Sequence, residues 1–329
     1  MVLIPHPSSL IPRAAAFILC AVLAAGAALA AGYPDRPIRM MIPQPPGGTM
    51  DTIARAVSSV MVENLAYNIV IDNRAGANGI IAGETLARAA PDGYTLLYTS
   101  ASLANNELVL KKPQFHVLKD FAPLTLVNTL PGYLIIVNSQ SPAKSLTELI
   151  ELSKRAPVHY GSSGTGNSQH LLGELINSRT GAKMAHVPYK GFALIVNAVM
   201  GNEIQVVFGA PTTVVQHIKA GRLRALAYTG AQRWSGMPDL PTVSEAGIPG
   251  MVYEASWHGI FAPAATPRAI LVQFQSEVRR AVHSPKLAQF FVDAGHVPVG
   301  GTPEEFRKFV VNYLKDTAAQ LRIAKVEPQ

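Results

Sequence analysis

Short apolar runs alternate with segments of helical spacing along almost the whole chain, and two of the junctions between them are rich in glycine. That alternation specifies an α/β fold with mostly parallel sheets, because each helix carries the chain back to lay the next strand beside the last. Residues 38–42 read as a strand. After Pro45-Pro46-Gly47-Gly48 comes a helix in which Ile53, Ala54, Val57, Val60 and Met61 share one face. Residues 69–71 and 94–99 read as further strands, with Gly76 and Gly79 marking a loop before a helix over 80–90. A second block opens with a strand at 133–137. Ser145 and Glu148 form a capping box for the helix that buries Leu146, Leu149 and Ile150. The strand at 158–160 runs into Gly161-Ser162-Ser163-Gly164-Thr165-Gly166, and a helix follows through Leu171, Leu172, Leu175 and Ile176. Residues 184–187, 204–208 and 223–228 are strands, and Pro211 occupies a first helical position. From Trp257 onward one strand (259–261) leads into Pro267 and a run of helices, one of them opened by Thr302, Pro303 and Glu305. A chain that builds one lobe, then a second, then returns is laid out as a two-lobed hinge protein. The boundaries expected are 32–130 plus 254–329 for lobe 1 and 131–253 for lobe 2.

The first 31 residues read as a secretory signal peptide. Arg13 supplies a positive n-region, residues 14–25 form an apolar run too short for a membrane span, and Ala28-Leu29-Ala30 is an A-x-A cleavage site. The alternative is an uncleaved anchor, against which the small residues and Pro34 after the run argue. Cys20 is the only cysteine, and Ile18-Leu19-Cys20-Ala21 lacks the small residue expected before a lipidated cysteine. Cleavage therefore removes thiol catalysis, cysteine-ligated zinc and disulfides together. A disulfide-free exported protein suits a Gram-negative periplasm.

With 329 residues, 48% of them hydrophobic and 15% charged, the chain can bury a large core, which excludes a disordered tail or a disulfide-stapled mini-protein. Past the signal it carries 27 basic and 21 acidic residues, since Arg13 is the only charged residue before position 32. The basic residues are scattered, with no aromatic interleaving around Lys111-Lys112, 219–224 or Arg279-Arg280, so no nucleic acid is expected as a partner. The surplus reads as a solvated surface, or as a field that steers an anion.

Catalytic arrangements are missing from the sequence. No two of His6, His116, His159, His170, His186, His217, His258, His283 and His296 have the i, i+4 spacing of a helical zinc pair. A nucleophile elbow starting at Gly161 fails at Thr165, and a dinucleotide loop starting at Gly164 fails at Gln169. No enzyme, metal or cofactor is expected. The two glycine loops remain. Each follows a strand and opens a helix, where unpaired N–H groups and partial positive charge hold anions, and glycine admits a ligand close to the backbone. Two such loops, one per lobe, could hold a carboxylate. Alternatively Thr49 or Asp51 in the first loop, and Ser168 in the second, simply cap their own helices.

Ten short motifs occur in one order and together resemble the periplasmic solute receptors of tripartite tricarboxylate transporters over nearly all the mature chain. They include Tyr33-Pro34-Asp35-Arg36-Pro37-Ile38, Pro43-x-x-Pro46-Gly47-Gly48-x-x-Asp51, Asn73-Arg74-x-Gly76-Ala77 and Ala90-Pro91-Asp92-Gly93-Tyr94. Tyr160-Gly161-Ser162-Ser163-Gly164-x-Gly166, His186-Val187-Pro188-Tyr189-Lys190-Gly191 and Gly300-Gly301-Thr302-Pro303 continue the set. The resemblance implies a monomeric, periplasmic-binding-protein (Venus-flytrap, type II-like) α/β fold, with a mixed sheet flanked by helices in each lobe. It also implies a small carboxylate-type solute bound between the lobes and delivered to an integral-membrane permease. A sensor kinase is the alternative partner.

On the same resemblance, the first-lobe contacts would be Gln44, Gly47, Gly48, Asp51, Ser100 and Ser102. Those of the second lobe would be Ser162, Ser163, Gly164, Asn167, Ser168 and His170, with Tyr189 and the loop from Gly209 completing the wall. Gly47, Gly48, Ser163 and Gly164 would offer backbone donors, and Ser162, Asn167 and Ser168 side-chain donors. Asp51 would cap, orient water or accept from the ligand, and His170 is either packed or a ligand contact. Gln44 stands where an aromatic residue is usual, Ala75 where proline is, and Gly209 where an acid is frequent. Gln44 together with the missing acid at Gly209 leans away from amino acids, toward carboxylates or neutral amides.

Overall fold

Residues 32–65, 67–323 and 328 are described by the computed structural model. The segment read as a signal peptide lies outside them. Strand β1 (Ile38–Ile42) passes through the first glycine loop into α1 (Thr49–Leu65). The helix buries the face of Ile53, Ala54, Val57, Val60 and Met61, each large apolar side chain contributing about 1.5–3 kcal/mol. Then come β2 (Ile69–Asn73), a 3-10 turn (Ala77–Gly79), α2 (Ile80–Ala87) and β3 (Thr95–Ser100). Helix α3 (Ala101–Val109) starts on the next residue, and α4 (Val117–Asp120) leads into the ten-residue β4 (Phe121–Leu130).

The chain then enters β5 (Leu134–Asn138), α5 (Leu146–Arg155), β6 (Val158–Ser162) and α6 (Ser168–Thr180). Strand β7 (Met184–Pro188), α7 (Phe192–Met200), β8 (Val206–Gly209), α8 (Pro211–Lys219) and β9 (Leu223–Tyr228) complete this part. Strand β10 (Ser256–Pro263) returns, followed by α9 (Arg268–Val282), α10 (Pro285–Asp293), β11 (Val297–Pro298) and α11 (Pro303–Ile323).

Two sheets result. The first has six strands in the order β11-β4-β10-β3-β1-β2, and the second five in the order β7-β6-β8-β5-β9. Both are mixed rather than mostly parallel. In the first, β2, β1 and β3 run parallel while β10 is antiparallel to both β3 and β4. In the second, β7, β6 and β8 run parallel while β5 is antiparallel to β8 and β9. Strand β10 brings the chain back into the first sheet, and it inserts there against the direction of β3. Helices pack on the sheets in four apolar clusters, so this is a two-lobed α/β fold with a mixed sheet flanked by helices in each lobe. The six-stranded sheet and its helices are called the first lobe below.

The crossings between lobes are tied together. Ala255 donates its N–H to Leu130 O at 3.0 Å, joining the outgoing and returning segments. Buried Thr229 takes the Tyr133 N–H on its Oγ1 at 2.8 Å and donates that hydroxyl to Tyr253 O, also at 2.8 Å. Its backbone pairs with the same two residues, Thr229 N–H to Tyr133 O and Tyr253 N–H to Thr229 O. One side chain therefore fixes the spacing of both connections, where an unpaired buried hydroxyl would cost about 1–3 kcal/mol.

Candidate functional site

The first glycine loop is built around the Asp51 carboxylate. Its Oδ2 accepts the Gly47 N–H at 3.0 Å, and its Oδ1 accepts Asn73 Nδ2 at 2.9 Å from the end of β2. Arg55 Nε lies 3.1 and 3.0 Å from the two oxygens. Asn73 Nδ2 also reaches Gln44 O at 3.0 Å, so α1, the loop and β2 are locked on one buried acid. Burial pushes the Asp51 carboxyl up, but the bonds from Arg55, the Gly47 N–H and Asn73, with the Arg55 charge, outweigh it and hold the group below its usual range. Asp51 thus shapes the loop, with its oxygens turned to protein donors.

In the second loop, Gln169 plays the corresponding part. Its Oε1 accepts both the N–H and the Oγ of Ser163, at 3.0 and 3.2 Å, while its Nε2 donates to Phe208 O at 2.6 Å. Ser162 Oγ lies 2.9 Å from Gly164 O and 2.6 Å from His186 Nε2, and receives the Gly164 N–H at 3.3 Å. A hydroxyl has one hydrogen, so Ser162 Oγ donates either to Gly164 O or to His186 Nε2, and the direction of the second bond follows the imidazole tautomer. Gly166 N–H donates to His170 Nδ1 at 3.0 Å. Asn167, in extended conformation, is the N-cap: its Oδ1 accepts the His170 N–H at 3.0 Å. Ser168, expected as a possible cap, is instead the first helical residue.

His170 and His186 are both held neutral. Burial lowers His186 to about 4, with the nearby His170 adding to the effect. Burial also lowers His170, against the pull of Glu174. Tyr160 OH donates to Glu174 Oε1 at 2.6 Å and lies 3.2 Å from His170 O beneath the pair.

The positions named from the sequence fall in five places. Gln44, Gly47, Gly48 and Asp51 sit at the β1–α1 junction, and Ser162, Ser163, Gly164, Asn167, Ser168 and His170 at the β6–α6 junction. Ser100 is the last residue of β3 and the N-cap of α3, its Oγ accepting the Ser102 N–H at 3.4 Å. Tyr189 hangs on the second loop by its N–H to Ser162 O at 2.8 Å and stays partly exposed. Gly209 is different. A Cβ there would lie 2.8 Å from Val214 Cγ1 and 3.1 Å from Phe192 Cζ, so the residue ends β8 inside an apolar packing.

The expected backbone donors at Gly47, Ser163 and Gly164 are engaged within their own loops. Among the described residues, the N–H groups of Gly48, Thr165 and Ser168 have no acceptor. These amides lie at the starts of α1 and α6, and the α-carbon of Gly164 faces open space. Buried side chains hold both loops in place, and their unpaired donors offer an anion two helix N-termini. Among the described residues, no cluster of three or more His, Cys, Asp or Glu could hold a metal ion.

The lobes meet at the second loop. Asn105 of α3 donates its Nδ2 to Gly166 O at 3.1 Å and accepts the Tyr313 hydroxyl of α11 at 2.8 Å. Within the second lobe, Tyr253 OH donates to Ser168 O at 2.8 Å. At another edge, Thr212 Oγ1 donates to Ala294 O at 3.3 Å. Asn73, Asn105, Gln169 and His186 were not among the site residues expected from the sequence. Asn73 and His186 stand in two of the quoted motifs and Gln169 adjoins the loop, whereas nothing local points to Asn105.

The family model described as Tripartite tricarboxylate transporter family receptor matches residues 53–324. Protein BugT of Bordetella pertussis is 34% identical over 294 residues, spanning 88% of this chain and 90% of BugT. Among solved structures, R. palustris Rpa4515 with adipate aligns at TM-score 0.84 and 29% identity, covering 90% of this chain and 100% of that one. The periplasmic binding protein BugD aligns at TM-score 0.83 and 30% identity, with the same coverages of 90% and 100%. The family and these structural neighbours are solute-binding receptors rather than enzymes.

Proposed function

Because the chain belongs to the tripartite tricarboxylate transporter receptor family, we propose that it is a periplasmic receptor that binds a small carboxylate between its lobes and hands it to the integral-membrane permease. The observation that carries this reading is the pair of strand–glycine–helix junctions, one per sheet, each leaving amides unpaired at a helix start. Carboxylate oxygens would accept from the N–H groups of Gly48, Thr165 and Ser168, with Asn167 Nδ2, Ser102 and Tyr189 lining the space around them. Asp51 would stay with its protein donors, so an acid beside the ligand is already neutralised by Arg55. The adipate in Rpa4515 supports a dicarboxylate as the class to try first.

The lobes on this reading comprise residues 32–130 with 254–329, and 131–253. Closure about the crossings at 131–133 and 253–255 would be favoured by contacts that form only when both loops touch one ligand. Export would use the signal read in the first 31 residues. Calorimetric titration of adipate and shorter dicarboxylates into chain starting near residue 32 tests the proposal: saturable binding is expected, and its absence across that series would count against it.

A further inference from the structure

Gly166 is gripped from both lobes at once. Its N–H is held by His170 Nδ1 at 3.0 Å within the second lobe. Its carbonyl is held by Asn105 Nδ2 at 3.1 Å from the first. The residue has φ +78°, and a Cβ would lie 2.6 Å from Val109 Cγ2, so α3 packs directly against its bare α-carbon. Only glycine fits this backbone conformation and this contact. Asn105 is itself fully buried, and its orientation is fixed because the Tyr313 hydroxyl, having donated to Oδ1, leaves Nδ2 facing Gly166.

From this we infer that Gly166 is a joint through which the first lobe sets the conformation of the second lobe's ligand loop, with Asn105 as the positioning residue and Tyr313 as its orienter. The unpaired Thr165 N–H lies between two anchored peptides: Ser163 tied to Gln169, and Gly166 tied to Asn105. Rotating the first lobe away withdraws the Asn105 amide, leaves the Gly166 carbonyl without its partner and frees the Gly166–Asn167 peptide, so that only the His170 bond still holds the residue after Thr165. Lobe orientation and loop geometry are therefore coupled through the Asn105 hydrogen bond and the Val109 contact, with the Tyr313 hydroxyl also meeting the Ser168 side chain, before any ligand arrives. Such coupling is the differential contact that a population shift requires.

The inference rests on reading residues 162–168 as ligand-facing, so its test uses no ligand. Hydrogen exchange would be followed by mass spectrometry over peptides spanning 162–171, β1 and α1, in the wild-type chain, Asn105→Leu, Tyr313→Phe and Thr212→Val. Asn105→Leu keeps the side-chain size and removes the donor. It should speed exchange in 162–171 severalfold while leaving β1 and α1 unchanged. Tyr313→Phe should do the same to a smaller degree, and decides the matter if Asn105→Leu does not fold cooperatively. Thr212→Val removes a lobe-to-lobe bond remote from the loop and should leave 162–171 unchanged. Unaltered exchange there in both Asn105→Leu and Tyr313→Phe, or equal acceleration in Thr212→Val, would overturn the proposal. Failure of adipate and its analogues to bind would instead count against the carboxylate reading and leave the joint standing.

Discussion

The imidazoles of His170 and His186 stack with centroids 4.0 Å apart and planes 22° from parallel. Two rings this close in a buried setting cannot both be charged. A second stacked pair, His258 and His296, lies in the first lobe with centroids 5.2 Å apart, and burial lowers His296 to about 4 and His258 well below its usual value.

All four histidines have folded pKa values below the unfolded value of about 6.5. The unfolded chain then binds protons that the folded chain excludes, so the stability they contribute is complete above about pH 6.5 and falls as pH drops toward 4. Thermal unfolding should show the melting temperature declining through that window. His186→Gln should shallow the slope, whereas a melting temperature flat from pH 7 to 4 would refute the neutral pairs. Asp51 titrates below this window, because its carboxyl is held under its usual range.

Removing the Asp51 carboxylate should loosen the first loop. Asp51→Ala strips partners from the Gly47 N–H, Asn73 and Arg55, of which Arg55 is half exposed and recovers water. A loss of about 1–3 kcal/mol is expected by denaturant unfolding, with weaker dicarboxylate binding. Full stability in the variant would show that the loop holds its shape without the acid.

Gln169→Leu should damage the second loop in the same way. It deprives Ser163 of the acceptor for its N–H and Oγ, and Phe208 O of its donor. We expect about 1–3 kcal/mol of destabilisation, with affinity lost beyond the fraction that unfolds. Unchanged affinity in isothermal titration would remove Gln169 from any positioning role.

The two loop glycines should respond differently to substitution. At Gly48 a Cβ has one tight neighbour, the flexible Gln44 Oε1 at 3.0 Å, with Pro45 O at an ordinary 3.6 Å, so Gly48→Ala should fold normally and Gly48→Val should block the amide at the start of α1. Gly164 has φ +137°, so even Gly164→Ala carries strain of about 1–3 kcal/mol despite open space around it. Both valine variants should unfold cooperatively and bind at least tenfold more weakly, about 1.4 kcal/mol. Wild-type affinity in either would take that loop out of the site.

Much of the fold was legible in the residues themselves. The buried face of α1 follows its spacing, Pro211 opens α8, and Thr302 with Glu305 forms a reciprocal box, Glu305 N–H to Thr302 Oγ1 at 3.2 Å and Thr302 N–H to Glu305 Oε2 at 2.8 Å. The box at Ser145 is looser, because Glu148 Oε2 takes the N–H of Lys144 rather than that of Ser145. Strand β4 escaped notice: Pro123, Thr125 and Asn128 interrupt its apolar run, and Pro123 sits opposite Phe261 at a register shift in β10. Helix α3 was hidden because Ser100 ends a strand and caps the helix at once.

The site divides the same way. Glycine at a strand–helix junction is a local signal, so both loops were found. Which amides stay free depends on Gln169 in the first turn of α6 and on Asn73, His186 and Asn105, which arrive from other strands or another lobe, and local spacing does not give these contacts.

The most direct measurement is a thermal-shift titration of chain from about residue 32, first unfolded and dialysed to strip any carried ligand, with adipate and with its neutral diamide. The account expects adipate to raise the melting temperature in a saturable way. At 100 times the dissociation constant the gain is about 2.7 kcal/mol, or roughly 2–4 °C for each kcal/mol, and the diamide should do far less. Equal shifts from both compounds, or a shift from the diamide alone, would contradict a carboxylate held at two helix N-termini.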